Sequence, residues 1–327
     1  MVALKNLKRC LVFVLLIGII MGMNLDRAFA MHHEKEKKAI VIACFGTTYP
    51  QTLVDILDIK ETIKKAFPHF KVRLAFTSNI IRRIWHKRRG NPRYKDIPKE
   101  IIDVKGPLAT IADLQDEGYK TIIVQPTHLY AGEEFHDLCS YVDSLNQIRT
   151  IKPKYRPFKK LVIGRPILGM PGPQHDYHED LKAAAEALKC DVDLARKDHA
   201  ALVYMGHGNE FYSTGVYIEL QEVMRKMYPD VKIFVGTVEG FPDLDYVIRG
   251  LVHYKVKKVV LKPLMIVAGD HARNDMAGDS KDSWKNRIKA KGIEVIPVIK
   301  GLGENPSIRK ILIQHIKDAA KDNGIEL

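Results

Sequence analysis

The sequence predicts an α/β protein of two similar lobes, each a mostly parallel sheet flanked by helices, with a cleft between them. Three observations carry this. Short apolar runs of strand length alternate with longer stretches of helical spacing, as in successive β-α-β units. The first of these runs, residues 39–45, is continuously apolar, as a strand buried on both faces requires. The order of elements then recurs in the second half of the chain with matching local sequences.

Residues 39–45 form the first expected strand, an apolar run that stops at Gly46. Residues 51–66 follow as a helix, with Leu53, Ile56, Leu57 and Ile63 at helical spacing. Residues 72–76, 121–124 and 161–164 are the next three strands, and the turn-rich Met170-Pro-Gly-Pro173 connects the lobes. The second half repeats the order with strands at 201–205, 231–235, 259–263 and 295–298. A final helix over 307–320 places Ile308, Ile311, Leu312 and Ile316 on one face. That stripe packs either on its own lobe or on a second copy in a homo-oligomer, and the pattern alone does not choose. Two local matches support a duplication. Ala43-Cys-Phe-Gly46 parallels Met205-Gly-His-Gly208, and Pro126-Thr-His-Leu-Tyr-Ala-Gly-Glu133 parallels Pro263-Leu-Met-Ile-Val-Ala-Gly-Asp270.

The first thirty residues stand apart. Lys5, Lys8 and Arg9 precede an apolar run over 11–23, and Ala28-Phe29-Ala30 offers small residues at both signal-peptidase positions. Residues 1–30 are therefore expected to be an export leader cleaved near Ala30, leaving a periplasmic protein with no stable membrane insertion. The alternative is an uncleaved N-terminal anchor. The mature lobes are then residues 31–168 and 169–327. Without Lys5, Lys8, Arg9, Arg27 and Asp26 the formal charge falls from +13 to +10, still clearly basic. Basic surfaces favour polyanions. Export argues against nucleic acid, so a small substrate with several carboxylates fits best. A basic insert, Arg82-Arg-Ile-Trp-His-Lys-Arg-Arg89, is either a solvated helix face or a rim for such a substrate, with Trp85 as a stacking surface. Cys44, Cys139 and Cys190 show no paired spacing and are not a disulfide framework.

In open α/β sheets ligands gather beyond the carboxyl ends of the strands. In the second lobe those ends carry His207, Glu239 and His271. Two imidazoles and a carboxylate converging from neighbouring strands suit a borderline divalent ion such as cobalt, nickel, iron or zinc. A lone histidine after a strand is usually a loop or capping residue. The duplication sharpens the reading, because the first-lobe equivalents are Phe45 and Glu134, so the turns themselves do not demand histidine. Glu239 is weaker, since an acid before Gly-Phe-Pro-Asp also suits a helix cap. Gly206 and Gly208 leave room for a flat ligand to approach the backbone. Asp270, Asn274 and Asp275 are placed to orient His271. His128 and His136 sit in the first-lobe repeat and face the same cleft. The chain lacks G-x-x-x-x-G-K-[ST], G-x-S-x-G and H-E-x-x-H, which disfavours P-loop ATP chemistry, an α/β-hydrolase nucleophile and a zincin.

Phe45-Gly-Thr-Thr48, Gln125-Pro-Thr-His-Leu-Tyr130, Met205-Gly-His-Gly208, Val238-Glu-Gly240 and Ala268-Gly-Asp-His-Ala-Arg-Asn-Asp-Met276 together resemble the two-lobed anaerobic-type cobaltochelatases that act on sirohydrochlorin in cobalamin biosynthesis. This family belongs to the ATP-independent class II chelatases, with ferrochelatase. The resemblance covers residues 39–320. It implies that His207, Glu239 and His271 bind the metal and catalyse its transfer to the pyrrole nitrogens of a macrocycle lying in the cleft. It also assigns Phe45, Gly46, His128, Tyr130, Gly206 and Gly208 to the wall that holds the macrocycle. Co²⁺ is the expected substrate metal. The leader departs from the family pattern, because cobalamin assembly is normally cytoplasmic. That favours a second class of function, an exported haem- or metal-binding transport or storage protein with His128 or His136 as an axial haem ligand. Fe²⁺ insertion, giving sirohaem or haem, is a third reading.

Overall fold

The computed structural model describes residues 36–327. The expected leader, and His32 and His33, lie outside the described residues. Four parallel strands, β1 (Lys38–Cys44), β2 (Phe70–Phe76), β3 (Thr121–Pro126) and β4 (Lys160–Ile163), form a first sheet in the order β2-β1-β3-β4. Four more, β5 (Ala201–Gly208), β6 (Ile233–Glu239), β7 (Lys258–Leu264) and β8 (Glu294–Pro297), repeat the order as β6-β5-β7-β8, again all parallel. All eight expected strands are present. The largest boundary error is at β6, which begins two residues later than expected and runs on to Glu239.

Register confirms the duplication. Ala43 pairs with Ala75 and Pro126, while Met205 pairs with Gly236 and Pro263. Ala43 and Met205 are thus equivalent, which makes Phe45 the counterpart of His207 and Ser78 the counterpart of Glu239. The strands are mostly apolar because both sheets are covered on both faces, with Lys262 of β7 buried against Asp191 as an exception. The outer face of the first sheet buries Ala39, Val41, Ile122 and Val124 with Leu138 and Val142 of the helix Glu133–Asn146. The outer face of the second buries Val203, Met205 and Leu261 with Val247 and Trp284.

Between the sheets lies one continuous core. Ile40, Ile42 and Ile123 of the first sheet belong to the same buried cluster as Leu202, Tyr204 and Val260 of the second. The last helix, Pro306–Asp322, joins this cluster through Ile308, Ile311, Leu312 and Ile316. Asn305 caps it by accepting from the Ser307 amide at 2.8 Å, with Pro306 at the first helical position. The sequence left open whether this stripe faced its own lobe or a second copy. It does something else: it packs into the shared core, and a polar cluster ties it to the chain just after β4. Arg165 donates to Asp180 at 2.7 and 2.9 Å and to Asp318 at 2.8 Å, while His315 lies between the Arg165 carbonyl and Asp180, 3.1 Å from each. Burial alone would raise the Asp180 carboxyl, but the hydrogen bonds from His315 and Arg165 outweigh it and hold it at about 2.

Cys44, Cys139 and Cys190 are free thiols, and burial at the end of β1 pushes Cys44 up to about 12. Among the described residues no helix is long and apolar enough to cross a membrane.

Candidate active site

The carboxyl ends of both sheets open onto one cavity of about 360 Å³, inside the usual range for small-molecule sites. Residues from both halves line it, among them Phe45, Tyr49, His128, Tyr130, His207 and His271.

His207 is the penultimate residue of β5, and its Nδ1 donates to the Gly208 carbonyl at 2.8 Å. His271 follows β7 at the mouth of a short π-helical turn, Ala272–Met276. That turn brings Asp275 under the ring, where its carboxylate accepts from Nδ1 at 2.6 Å. Carbonyl and carboxylate oxygens only accept, so both rings carry their proton on Nδ1 and present the Nε2 lone pair. A carboxylate behind an imidazole is the arrangement that fixes the tautomer and raises basicity at metal sites. The two ring centroids lie 4.9 Å apart at an interplanar angle of 82°. Glu239, the last residue of β6, pairs in register with Gly208, and its Oε2 lies 4.0 Å from His207 Nδ1. His207 thus neighbours both His271 and Glu239, which approach it from different sides of the second sheet. Among the described residues no group of three or more His, Cys, Asp or Glu is arranged to hold a metal ion.

Phe45 faces this cluster from the first lobe, 6.5 Å from His207 between centroids and largely exposed. Tyr130 lines the cavity with its hydroxyl bonded to Asn209, and Tyr217 packs edge-on against it at 5.3 Å. Burial raises the Tyr130 phenol to about 12. His128 borders the cavity with both ring nitrogens buried and unpartnered among the described residues, and burial lowers it to about 4, so it is neutral. His136 is not in the lining. It stacks flat on Tyr212 at 4.3 Å, joining the first turn of the helix Glu133–Asn146 to the loop after β5.

Two physical expectations are corrected. The glycines do not clear space for a ligand. A Cβ at Gly206 would strike the Tyr217 ring at 2.7 Å, and one at Gly208, where φ is +76°, would lie 1.8 Å from the Glu239 carbonyl oxygen. Gly46, with φ of +100°, likewise abuts Phe76. These residues permit tight turns and close strand packing. Nor is the basic insert a stacking rim. Trp85 is fully buried and donates to the Thr47 carbonyl at 2.7 Å, because its large apolar ring is worth more inside the core. Arg88 covers that ring at 4.4 Å and donates to the Thr48 carbonyl at 2.6 Å, while Arg82 holds the Phe76 and Thr77 carbonyls. The insert buttresses the cavity loop from behind.

Tyr49, on that buttressed loop, escaped the sequence reading. Its hydroxyl donates to Asp270 at 2.8 Å across the cavity, and Asn274 donates to the same carboxylate at 2.9 Å. The first half of the chain thus grips the loop that carries His271. Asn209 was missed too; its side-chain oxygen accepts from the Phe211 and Tyr212 amides at 2.9 and 2.6 Å, shaping the loop after His207. The available signal was position: Tyr49 and Phe211 each fall four residues after the equivalent Phe45 and His207.

The sequence pattern of the family described as cobalt chelatase (CbiK) matches residues 38–321. The sirohydrochlorin cobaltochelatase of Salmonella typhimurium is 32% identical over 284 residues, covering 86% of this chain and 96% of the relative. The sirohydrochlorin cobaltochelatase CbiKC of Nitratidesulfovibrio vulgaris is 32% identical over 288 residues, covering 88% and 92%. Among solved structures, the sirohydrochlorin chelatase SirB from Bacillus subtilis subspecies spizizenii, in complex with cobalt, superposes with a TM-score of 0.52 at 15% identity, covering 88% of this chain and 97% of that one. At that identity the likeness bears on the fold, which it shares. With its duplicated parallel sheets and its paired imidazoles above a common cavity, the chain belongs to the cobalt chelatase (CbiK) family.

Proposed function

We propose that the protein is an ATP-independent sirohydrochlorin cobaltochelatase, with Co²⁺ and the tetrapyrrole as its substrates. The observation that carries this is the pair of imidazoles 4.9 Å apart at the cavity, each engaged through Nδ1 so that Nε2 is the atom left for an ion. Insertion exchanges one divalent cation for two pyrrole protons. His207 and His271 present the metal, the two imidazole nitrogens it vacates take up the two pyrrole protons, and the Glu239 carboxylate, 4.0 Å from His207 Nδ1, offsets the charge gained there. The ion then passes to the four pyrrole nitrogens. An open ligand set suits this task, since a closed cage would retain the cargo.

Phe45, Tyr130 and the backbone at Gly46 and Gly208 form the apolar wall proposed to receive the macrocycle, with Gly206 behind it as a packing contact. His128, neutral and unpartnered, is proposed to meet a polar edge of the bound ring. Residues 1–30 are proposed as the export leader, which amino-terminal sequencing of the periplasmic protein checks by a start at Met31.

The experiment mixes the protein with sirohydrochlorin and Co²⁺ and follows the spectral change of metal insertion, with Fe²⁺ in parallel. Turnover lost in both His207→Ala and His271→Ala is the expected result. Absence of turnover in the wild type, with haem co-purifying, would replace the proposal with the haem-transport reading.

A further inference from the structure

The end of the molecule opposite the cavity carries a surface that chelation does not use. Between Asp143 and Asp176 the chain holds seven Lys or Arg and no Asp or Glu. The centre of this stretch, residues 147–159, is the connection from the helix Glu133–Asn146 to β4, and nearly all of it is exposed. Its base is fixed. Asn146 donates to the Leu161 carbonyl at 2.8 Å, the Lys159 amide to the Lys120 carbonyl at 2.8 Å, and Phe158 packs on the outer core of the first sheet. Pro153 opens a 3-10 turn, Pro153–Tyr155, and Pro157 follows, so the tip is stiffened.

At that tip Ile151 is fully exposed and Tyr155 is 61% exposed, with Lys154 Nζ 4.9 Å from the Tyr155 ring. Single exposed apolar residues are ordinary. A stiff loop that holds an aliphatic and an aromatic side chain outward within a collar of Arg149, Lys152, Lys154 and Arg156 is not, because those two chemistries together suit one environment. Apolar tips enter the acyl boundary, tyrosine sits at headgroup level, and lysine or arginine meets lipid phosphate.

The loop's position agrees. Lys160, the first residue of β4, pairs through Thr121 with Lys38, the first residue of β1, so the loop borders the strand-start edge of the sheet. The catalytic cavity lies at the strand ends, about 20 Å away along strands of seven residues. A surface met by this loop leaves the cavity open to solvent.

The geometry points to the 147–159 loop as a docking element for an anionic phospholipid surface. Arg149, Lys152, Lys154 and Arg156 meet the headgroups, and Ile151 and Tyr155 enter the interface. No covalent anchor or conformational change is required.

The test uses the full chain with Tyr155→Trp, read as a difference spectrum against the wild type, whose own two tryptophans, Trp85 and Trp284, are buried. Emission shifts to the blue with vesicles containing phosphatidylglycerol, stays unchanged with phosphatidylcholine alone, and returns on raising the salt to about 0.5 M. Adding Lys152→Glu, Lys154→Glu and Arg156→Glu weakens the response about tenfold or more. Cobalt insertion in free solution is unaffected by these changes. Because the tryptophan reports its own surroundings, it separates loop contact from any binding through the apolar run at 11–23. No shift on anionic vesicles, or an equal shift on both lipids, overturns the proposal. So does a shift without lipid that grows with protein concentration, which would make the loop a contact between copies.

Discussion

Removing the carboxylate behind His271 should weaken the site without destroying it. Asp275 accepts from His271 Nδ1 at 2.6 Å and is the only side-chain partner of that ring nitrogen among the described residues. Asp275→Ala frees the imidazole to rotate and to change tautomer, so Nε2 presents its lone pair for only part of the time. Loss of such a partner typically costs 10- to 100-fold in metal affinity or activity, about 1.4 to 2.7 kcal/mol. Both groups are partly exposed, with side-chain accessibilities of 36% and 47%, so water replaces some of the lost interaction and the lower half of that range is expected. Asp275→Asn keeps a neutral acceptor and should fall between alanine and wild type. Co²⁺ binding measured calorimetrically and initial rates of insertion should decline together. An Asp275→Ala protein within twofold of wild type on both readouts, while His271→Ala is inactive, would refute the claim that this carboxylate sets the ring.

Gly208→Ala forces a Cβ to within 1.8 Å of the Glu239 carbonyl oxygen at a φ of +76°, and should cost more than about 2 kcal/mol in a thermal melt while separating Glu239 from His207. Leu312→Ala empties part of the shared core and should lower stability by about 2–5 kcal/mol. In that variant Trp85 of the first half and Trp284 of the second should still report one coincident denaturant transition, whereas two separated transitions would show that the halves fold apart. The depressed Asp180 carboxyl contributes stability that is complete above the unfolded value of about 3.9 and is lost as pH falls toward the folded value of about 2. Acid titration of the melting temperature should therefore be shallower in that window for Asp180→Asn than for wild type.

What the sequence disclosed and what it hid have different physical origins. Strands such as β1 and β3 are legible because a run buried on both faces is apolar at nearly every position, a local requirement. His207 and His271 stood out because the duplication supplied an internal control: the same turn in the first half carries Phe45 and Glu134. Long-range choices leave no such mark. The stripe Ile308, Ile311, Leu312 and Ile316 says that one face must be covered but not by what, and the answer, the core common to both sheets, rests on tertiary packing. Trp85 in a run of arginines looked like a surface feature, yet its indole is buried and its neighbours serve backbone carbonyls. Tyr49 was missed because a latch spanning 221 residues has no sequence period.

The common core and the crossing helix have a consequence for how a flat guest is admitted. Protein pairs of domains that close like jaws need a thin, polar seam about which to swing; here the seam is the largest buried cluster among the described residues. The width of the slot is therefore a built-in dimension, and the loops at its mouth are themselves tied across it by Tyr49 to Asp270 and Asn209 to Tyr130. A guest enters a gap of nearly constant gauge, so macrocycles are sorted by thickness and outline before any bond to the metal forms.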